Sequence, residues 1–153
     1  MSFDDDKRHL ERQTFCLRAF SRRYGLTFDE DLPKLSHFDA FLFADGERLA
    51  LCEFKGRKNK HDSYVWGGET EGVVFCRVDK YDWMAEAEGE HGLKGLFVYG
   101  YDDGLFWITK ADVPTGDVRT LNGRDGAVPA YFFPARLLIA AYLAPWRYGP
   151  ARR

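Results

Sequence analysis

Asp39, Glu53 and Lys55 place two carboxylates and an ammonium in one stretch, residues 38–55, which reads FDAFLFADGERLALCEFK. Carboxylate oxygens are hard ligands suited to Mg²⁺ or Mn²⁺, ions that keep several waters and bridge to phosphate oxygens. A lysine beside them can orient an attacking water, lower its pKa, or offset the charge that grows in a phosphoryl transition state. Lys55 stands two residues after Glu53, so both side chains leave a strand on the same side. The carbonyl of Phe54, between them, would offer a metal an additional oxygen ligand. The same residues could also form a plain ion pair at the end of a half-buried hairpin.

A hairpin is the element that must position them, because Asp45-Gly46 between the apolar runs 38–43 and 49–54 is a strong short-range hairpin signal. Register decides whether Asp39 meets Glu53. A two-residue loop pairs Ala44 with Glu47 and hence Asp39 with Cys52, which leaves the two carboxylates on opposite faces. A three-residue loop, Asp45 to Glu47, pairs Ala44 with Arg48 and Asp39 with Glu53. A bulge or bend near Asp39 has the same effect. Convergence of the carboxylates therefore requires an irregular hairpin.

Before the hairpin, residues 4–24 predict an amphipathic helix with Leu10, Leu17, Phe20 and Tyr24 on one face and Gly25 as its stop. Its aspartate-rich start suits the positive end of the helix dipole. A short strand is expected over 26–28. After the hairpin, residues 56–72 are polar and without period, too long for an ordinary connection. Residues 77–90 predict a second helix ended by Gly92, and 93–99 with 105–109 a second hairpin. Residues 110–126 read as a surface loop, 130–133 as an edge strand, and 135–143 as a short final helix started by Pro134. Helix, strands, helix, strands, helix describes an α/β or α+β fold with a central mixed sheet flanked by helices.

The chain has 153 residues, 45% hydrophobic and 30% charged, which suits one folded domain over residues 1–153 and excludes a disordered chain. Cys16, Cys52 and Cys76 have no CxxC spacing, so neither a disulfide framework nor a zinc ribbon is indicated. The N-terminus lacks the apolar run of a signal peptide, and the longest apolar run, 137–143, is far short of the roughly 20 residues that span a bilayer. The expectation is a cytoplasmic protein with no membrane segment. A net charge of −2 argues against a protein that coats nucleic acid electrostatically, although Arg18, Arg22 and Arg23 form a local cluster, as do Lys55, Arg57, Lys58 and Lys60. The four histidines show neither HxH nor HxxxH spacing, which argues against zinc. No GxxxxGK[ST], GxGxxG or GxSxG sequence is present.

Asp39, followed fourteen positions later by Glu53-Phe54-Lys55, resembles the active-site motif of the PD-(D/E)xK nuclease superfamily. That superfamily has the restriction-endonuclease-like fold and includes Holliday junction resolvases. The order of elements over about residues 4–109 matches, with 110–153 as a C-terminal extension, and Phe38 replaces the family's proline. The resemblance implies Mg²⁺-dependent (or Mn²⁺-dependent) hydrolysis of DNA phosphodiesters, with Asp39, Glu53 and the Phe54 carbonyl as metal ligands and Lys55 as a catalytic residue. A helix after the site commonly adds a further residue, and Lys80 fits that place. The first helix often adds an acid. Glu11 has the type but points away from the apolar face, whereas Gln13 has the angle and the weaker chemistry.

In the polar loop, Arg57, Lys58, Lys60 and Trp66 are candidates for substrate contact, because cations beside aromatics suit phosphates and base stacking. The partner implied is DNA, with branched, phage and repair intermediates as forms to consider. A homodimer is one option, since two-strand cutters of this fold commonly work in pairs. Two rival readings are a non-cleaving nucleic-acid-binding module on the same fold and a small protein-interaction domain.

Overall fold

The computed structural model describes residues 3–32, 37–57, 60–65, 70–123 and 126–143, with side chains from residue 7 onward. The chain runs α1 (Phe3–Tyr24), β1 (Thr27–Asp29), β2 (Ala40–Ala44), β3 (Glu47–Gly56), β4 (Val73–Arg77), α2 (Val78–His91), β5 (Lys94–Tyr101), β6 (Gly104–Thr109), β7 (Val118–Gly123), β8 (Gly126–Pro134) and β9 (Ile139–Leu143), with short 3-10 turns at Lys110–Asp112 and Ala135–Leu137.

Six strands form a mixed sheet in the order β1-β2-β3-β5-β6-β9. Its pairs are antiparallel except β3 with β5, which run parallel. That parallel pair needs a crossover, and the stretch carrying β4 and α2 provides it. Helix α1 covers one face, with Cys16, Leu17 and Phe20 packed among Ala40, Leu42, Cys52, Phe54 and Val98. On the other face Met84 and Ala87 of α2 pack against Leu51, Phe97 and Ile108, together with Val74, Cys76 and Phe133 of a second sheet. This second sheet has three strands in the order β4-β8-β7.

The buried stripe of α1 runs through Gln13, Cys16, Leu17, Phe20 and Ser21, spacings of three and four that face one sheet. Leu10, expected on that face, is instead 57% exposed. Gly92 ends α2 with φ of 66°, and its N–H donates to the Glu88 carbonyl, the left-handed cap that glycine makes without strain.

Three expectations are corrected. The helix expected over 135–143 is only a 3-10 turn followed by β9, in which Ile139 and Leu143 point out while Ala141 is buried. A short apolar run fits either period, and here the open backbone edge of β6 supplies the partners that a marginal helix lacks. The surface loop expected over 110–126 contains β7, paired with β8 from Val118 to Gly123. The edge strand expected over 130–133 is a longer strand at the centre of the second sheet, with β4 on its other side. Strand β4 itself was not expected. Its partner β8 lies far along the chain, so no local hairpin signal marks it.

Candidate active site

The β2–β3 hairpin has a two-residue turn in which Asp45 (φ 52°) and Gly46 (φ 80°) both take positive φ, the primed geometry whose twist matches the flanking strands. Ala44 pairs with Glu47 and Phe43 with Arg48, but Leu42 then pairs with Ala50. Leu49 is the extra residue of a β-bulge, and its side chain is half exposed. Beyond the bulge Ala40 pairs with Cys52, so the following step of the register puts Asp39 opposite Glu53. The turn keeps the short loop, and the bulge restores the parity that the short loop alone would lose.

Asp39 is tied to the end of β3 twice: its N–H donates to the Cys52 carbonyl at 2.8 Å, and its Oδ2 accepts from the Phe54 N–H at 2.7 Å. In a strand the N–H and C=O of one residue point to the same side. The Phe54 carbonyl therefore faces the side where β2 has ended and Asp39 stands. The Phe54 ring points the other way, into the core beneath α1.

Glu53 and Lys55 project from the face covered by α2. Lys55 Nζ lies 3.5 Å from Glu53 Oε1, and Lys80 Nζ, from the first turn of α2, lies 3.8 Å from the same oxygen. Lys80 also sits 4.8 Å over the Trp83 ring, whose indole stacks against His37. The start of α2 is held by Asp79, which accepts from the Lys80 N–H and from the Arg77 guanidinium. Gly95 lets α2 approach β5, since a Cβ there would collide with the Met84 side chain.

Glu53 is 6% exposed, and its Oε2 is buried with no hydrogen-bond partner. Burial pushes its pKa up, Lys55 opposes this, and the Asp39 charge adds to the rise. Asp39 is also pushed up by burial, against the Phe54 N–H and then Lys55. Lys55 is pushed down by burial despite Glu53, with Lys80 and Arg57 adding repulsion. Each group is thus moved toward its neutral form, a pattern typical of functional sites. An unpartnered buried carboxylate oxygen beside a second carboxylate fits a hard divalent cation, which would meet the lone pairs that no protein donor reaches.

The other sequence candidates fall in several places. Arg57 follows β3 directly, with its N–H on the Gly100 carbonyl and its guanidinium 4.5 Å over the Phe75 ring. Lys60 is exposed on the adjoining loop. Lys58 and Trp66 lie outside the described residues. Glu11 is exposed and makes no hydrogen bond or ion pair with Asp39, Glu53 or Lys55. Gln13 is buried and donates to Glu30 at 3.4 Å, on the opposite face of the sheet from Glu53.

From α1 the structure instead brings His9, whose charge acts on Asp39 and whose ring lies 6.1 Å from that of Phe54. It also brings Arg12, which donates to the carbonyls of Arg57 and Gly100. Both were missed. Their signal was the helical interval from His9 to Gln13, which places them at the end of α1 nearest the site. A further group, His61, Asp62 and Asp103, has ligand atoms within 4.8 Å of one another. There Asp103 already accepts from the His61 N–H at 2.9 Å and contacts Nδ1 at 2.7 Å, and the imidazole stacks on Phe106. These contacts anchor the loop to the β5–β6 turn, in contrast to the orphaned oxygen of Glu53.

No family model matches this sequence, and no curated protein matches it. The structure, by contrast, is similar to a solved one, the Holliday junction resolvase Hjc of the archaeal hyperthermophile Archaeoglobus fulgidus. The TM-score is 0.51 at 7% sequence identity, covering 79% of this chain and 89% of that one. The chain therefore has a restriction-endonuclease-like α+β fold like that of this resolvase.

Proposed function

We propose that this chain is a Mg²⁺- or Mn²⁺-dependent deoxyribonuclease that hydrolyses phosphodiester bonds. The observation that carries the proposal is the buried, unpartnered Oε2 of Glu53 beside Asp39, Lys55 and Lys80 on a nuclease fold. Asp39, Glu53 and the Phe54 carbonyl would hold the cation, which when bound polarises phosphoryl oxygens and makes a bound water acidic.

The protein's own groups do the rest. The Phe54 N–H holds the Asp39 carboxylate in place, so little reorganisation is needed during reaction. Lys55, with its pKa pushed down by burial, is poised to orient the attacking water and to exchange a proton with it. Lys80 adds positive charge where the phosphate becomes more anionic. Arg57, Lys58, Lys60 and Trp66 would contact the DNA strand as it leaves the site.

The resolvase similarity makes branched DNA the first substrate form to test, and cutting both strands of a junction would call for two copies of the chain. Cys16, Cys52 and Cys76 are free and buried, which suits a reducing compartment such as the cytoplasm. No helix among the described residues is long and apolar enough to cross a membrane.

The test is incubation with linear, nicked, branched and single-stranded DNA in Mn²⁺, with Glu53→Ala and Lys55→Ala as controls. Cleavage by the wild type and its loss in both variants, with folding intact, is expected. Undiminished cutting by either variant refutes the assignment. Metal-independent DNA binding without cleavage would turn the reading to a non-cleaving module.

A further inference from the structure

Immediately past the candidate active site is a cavity of about 300 Å³, at the small end of the roughly 300–1,000 Å³ typical of ligand pockets. Tyr64, Phe75 and Tyr101 give it aromatic walls, and Arg57 and Lys60 give it positive charge. None of its described lining residues is acidic. Tyr64 is 42% exposed at its mouth, with its ring edge-on to Phe75 at 6.2 Å. The Arg57 guanidinium lies across Phe75, yet its Nε is buried with no hydrogen-bond partner. A buried cationic donor without an acceptor is costly, and an incoming anion relieves that cost.

Arg57 follows Lys55 by two residues, and its guanidinium lies 5.7 Å over the ring of Tyr99, the residue paired with Lys55, so the cavity adjoins the face that carries the site. Four residues of strand span about 13 Å, the rise of roughly four stacked nucleotides at ~3.4 Å each. A strand whose phosphate reaches Glu53 would therefore arrive at Arg57 within a few nucleotides.

We propose that this cavity takes one unstacked nucleotide of the DNA strand, its phosphate on Arg57 and Lys60 and its base against Tyr64 and Phe75. This proposal rests on the reading of the neighbouring site as one that cuts DNA. Cations and aromatic faces with no acidic wall suit a ligand that is both anionic and planar, and base–aromatic stacking works for any base. The pocket therefore selects DNA with an unpaired or extruded base near the cut, without selecting a sequence.

The test measures binding by the Glu53→Gln protein, without divalent metal, to two duplexes that differ only in whether one 2-aminopurine is paired or bulged. The bulged duplex is expected to bind about tenfold tighter, within the range found for single base–aromatic stacks, with a change in 2-aminopurine fluorescence. Tyr64→Ala should remove most of that preference, and Lys60→Ala, also at an exposed position, should weaken it. Equal affinity for the two duplexes, or a preference untouched by both substitutions, overturns the proposal. The readout does not depend on cleavage. Failure of the wild type to cut DNA would remove the nuclease reading and leave this result standing, and a cutting enzyme with no preference would do the reverse.

Discussion

Adding Mn²⁺ should raise the thermal stability of the wild type and leave Glu53→Ala unmoved. A ligand that binds only the folded state stabilises it by about 2.7 kcal/mol at a hundred times its dissociation constant. For a domain of this size each kcal/mol moves Tm by about 2–4 °C, so the shift should be about 5–11 °C. Its pH dependence follows from two carboxylates that burial pushes above their ordinary values of 3.8 and 4.5. Without metal, each contributes stability that is complete below its unfolded pKa and is lost as pH rises through the raised folded pKa. With metal bound, the charged forms are the ones held, so the loss is cancelled. The gap between metal-free and metal-bound Tm should therefore widen as pH rises, with protons released on binding. Scanning calorimetry from pH 5 to 8, at about 100 times the dissociation constant, measures this. A shift of the same size in Glu53→Ala, or one that shrinks as pH rises, would refute the argument.

Other perturbations separate chemistry from architecture. Lys55→Ala should lower the rate of hydrolysis by about 10²–10³, the usual cost of one charge-stabilising donor, while Mn²⁺ binding persists in calorimetry because a competing positive charge has gone. Gly95→Ala puts a Cβ onto the Met84 side chain, so that side chain must repack or α2 must move off β5. The expected cost is about 1–3 kcal/mol of stability by denaturant titration, with slower hydrolysis to the extent that α2 moves and takes Lys80 away from Glu53. Deleting Leu49, the bulged residue, leaves Leu42–Ala50 and Phe43–Arg48 as consecutive pairs of a regular hairpin. Asp39 should stay opposite Glu53, with Mn²⁺ binding retained, whereas loss of binding in a folded deletion variant would show that the local twist of the bulge is needed as well.

Residue types and local periodicity determined a good deal by themselves. The first helix, the Asp45-Gly46 turn, the second helix with its Gly92 stop and the second hairpin are local features, specified by contacts a few residues apart. The placement of Glu53 and Lys55 on one side of a strand is likewise local, a consequence of the pleat. Whether Asp39 joins them is not. That depends on whether Leu49 pairs or bulges, and bulging costs little where its side chain meets solvent and keeps Leu42 and Ala40 in the core. Strands β4, β7 and β9 were also decided by tertiary structure. Residues 139–143 can be helix or strand until the edge of β6 offers them hydrogen bonds, and residues 73–77 show no strand partner until β8 arrives from far along the chain. The burial that moves the charges of Asp39, Glu53 and Lys55 away from their ordinary values arises only when α2 and the second sheet close over that face, because desolvation belongs to the assembled molecule and not to any segment of it.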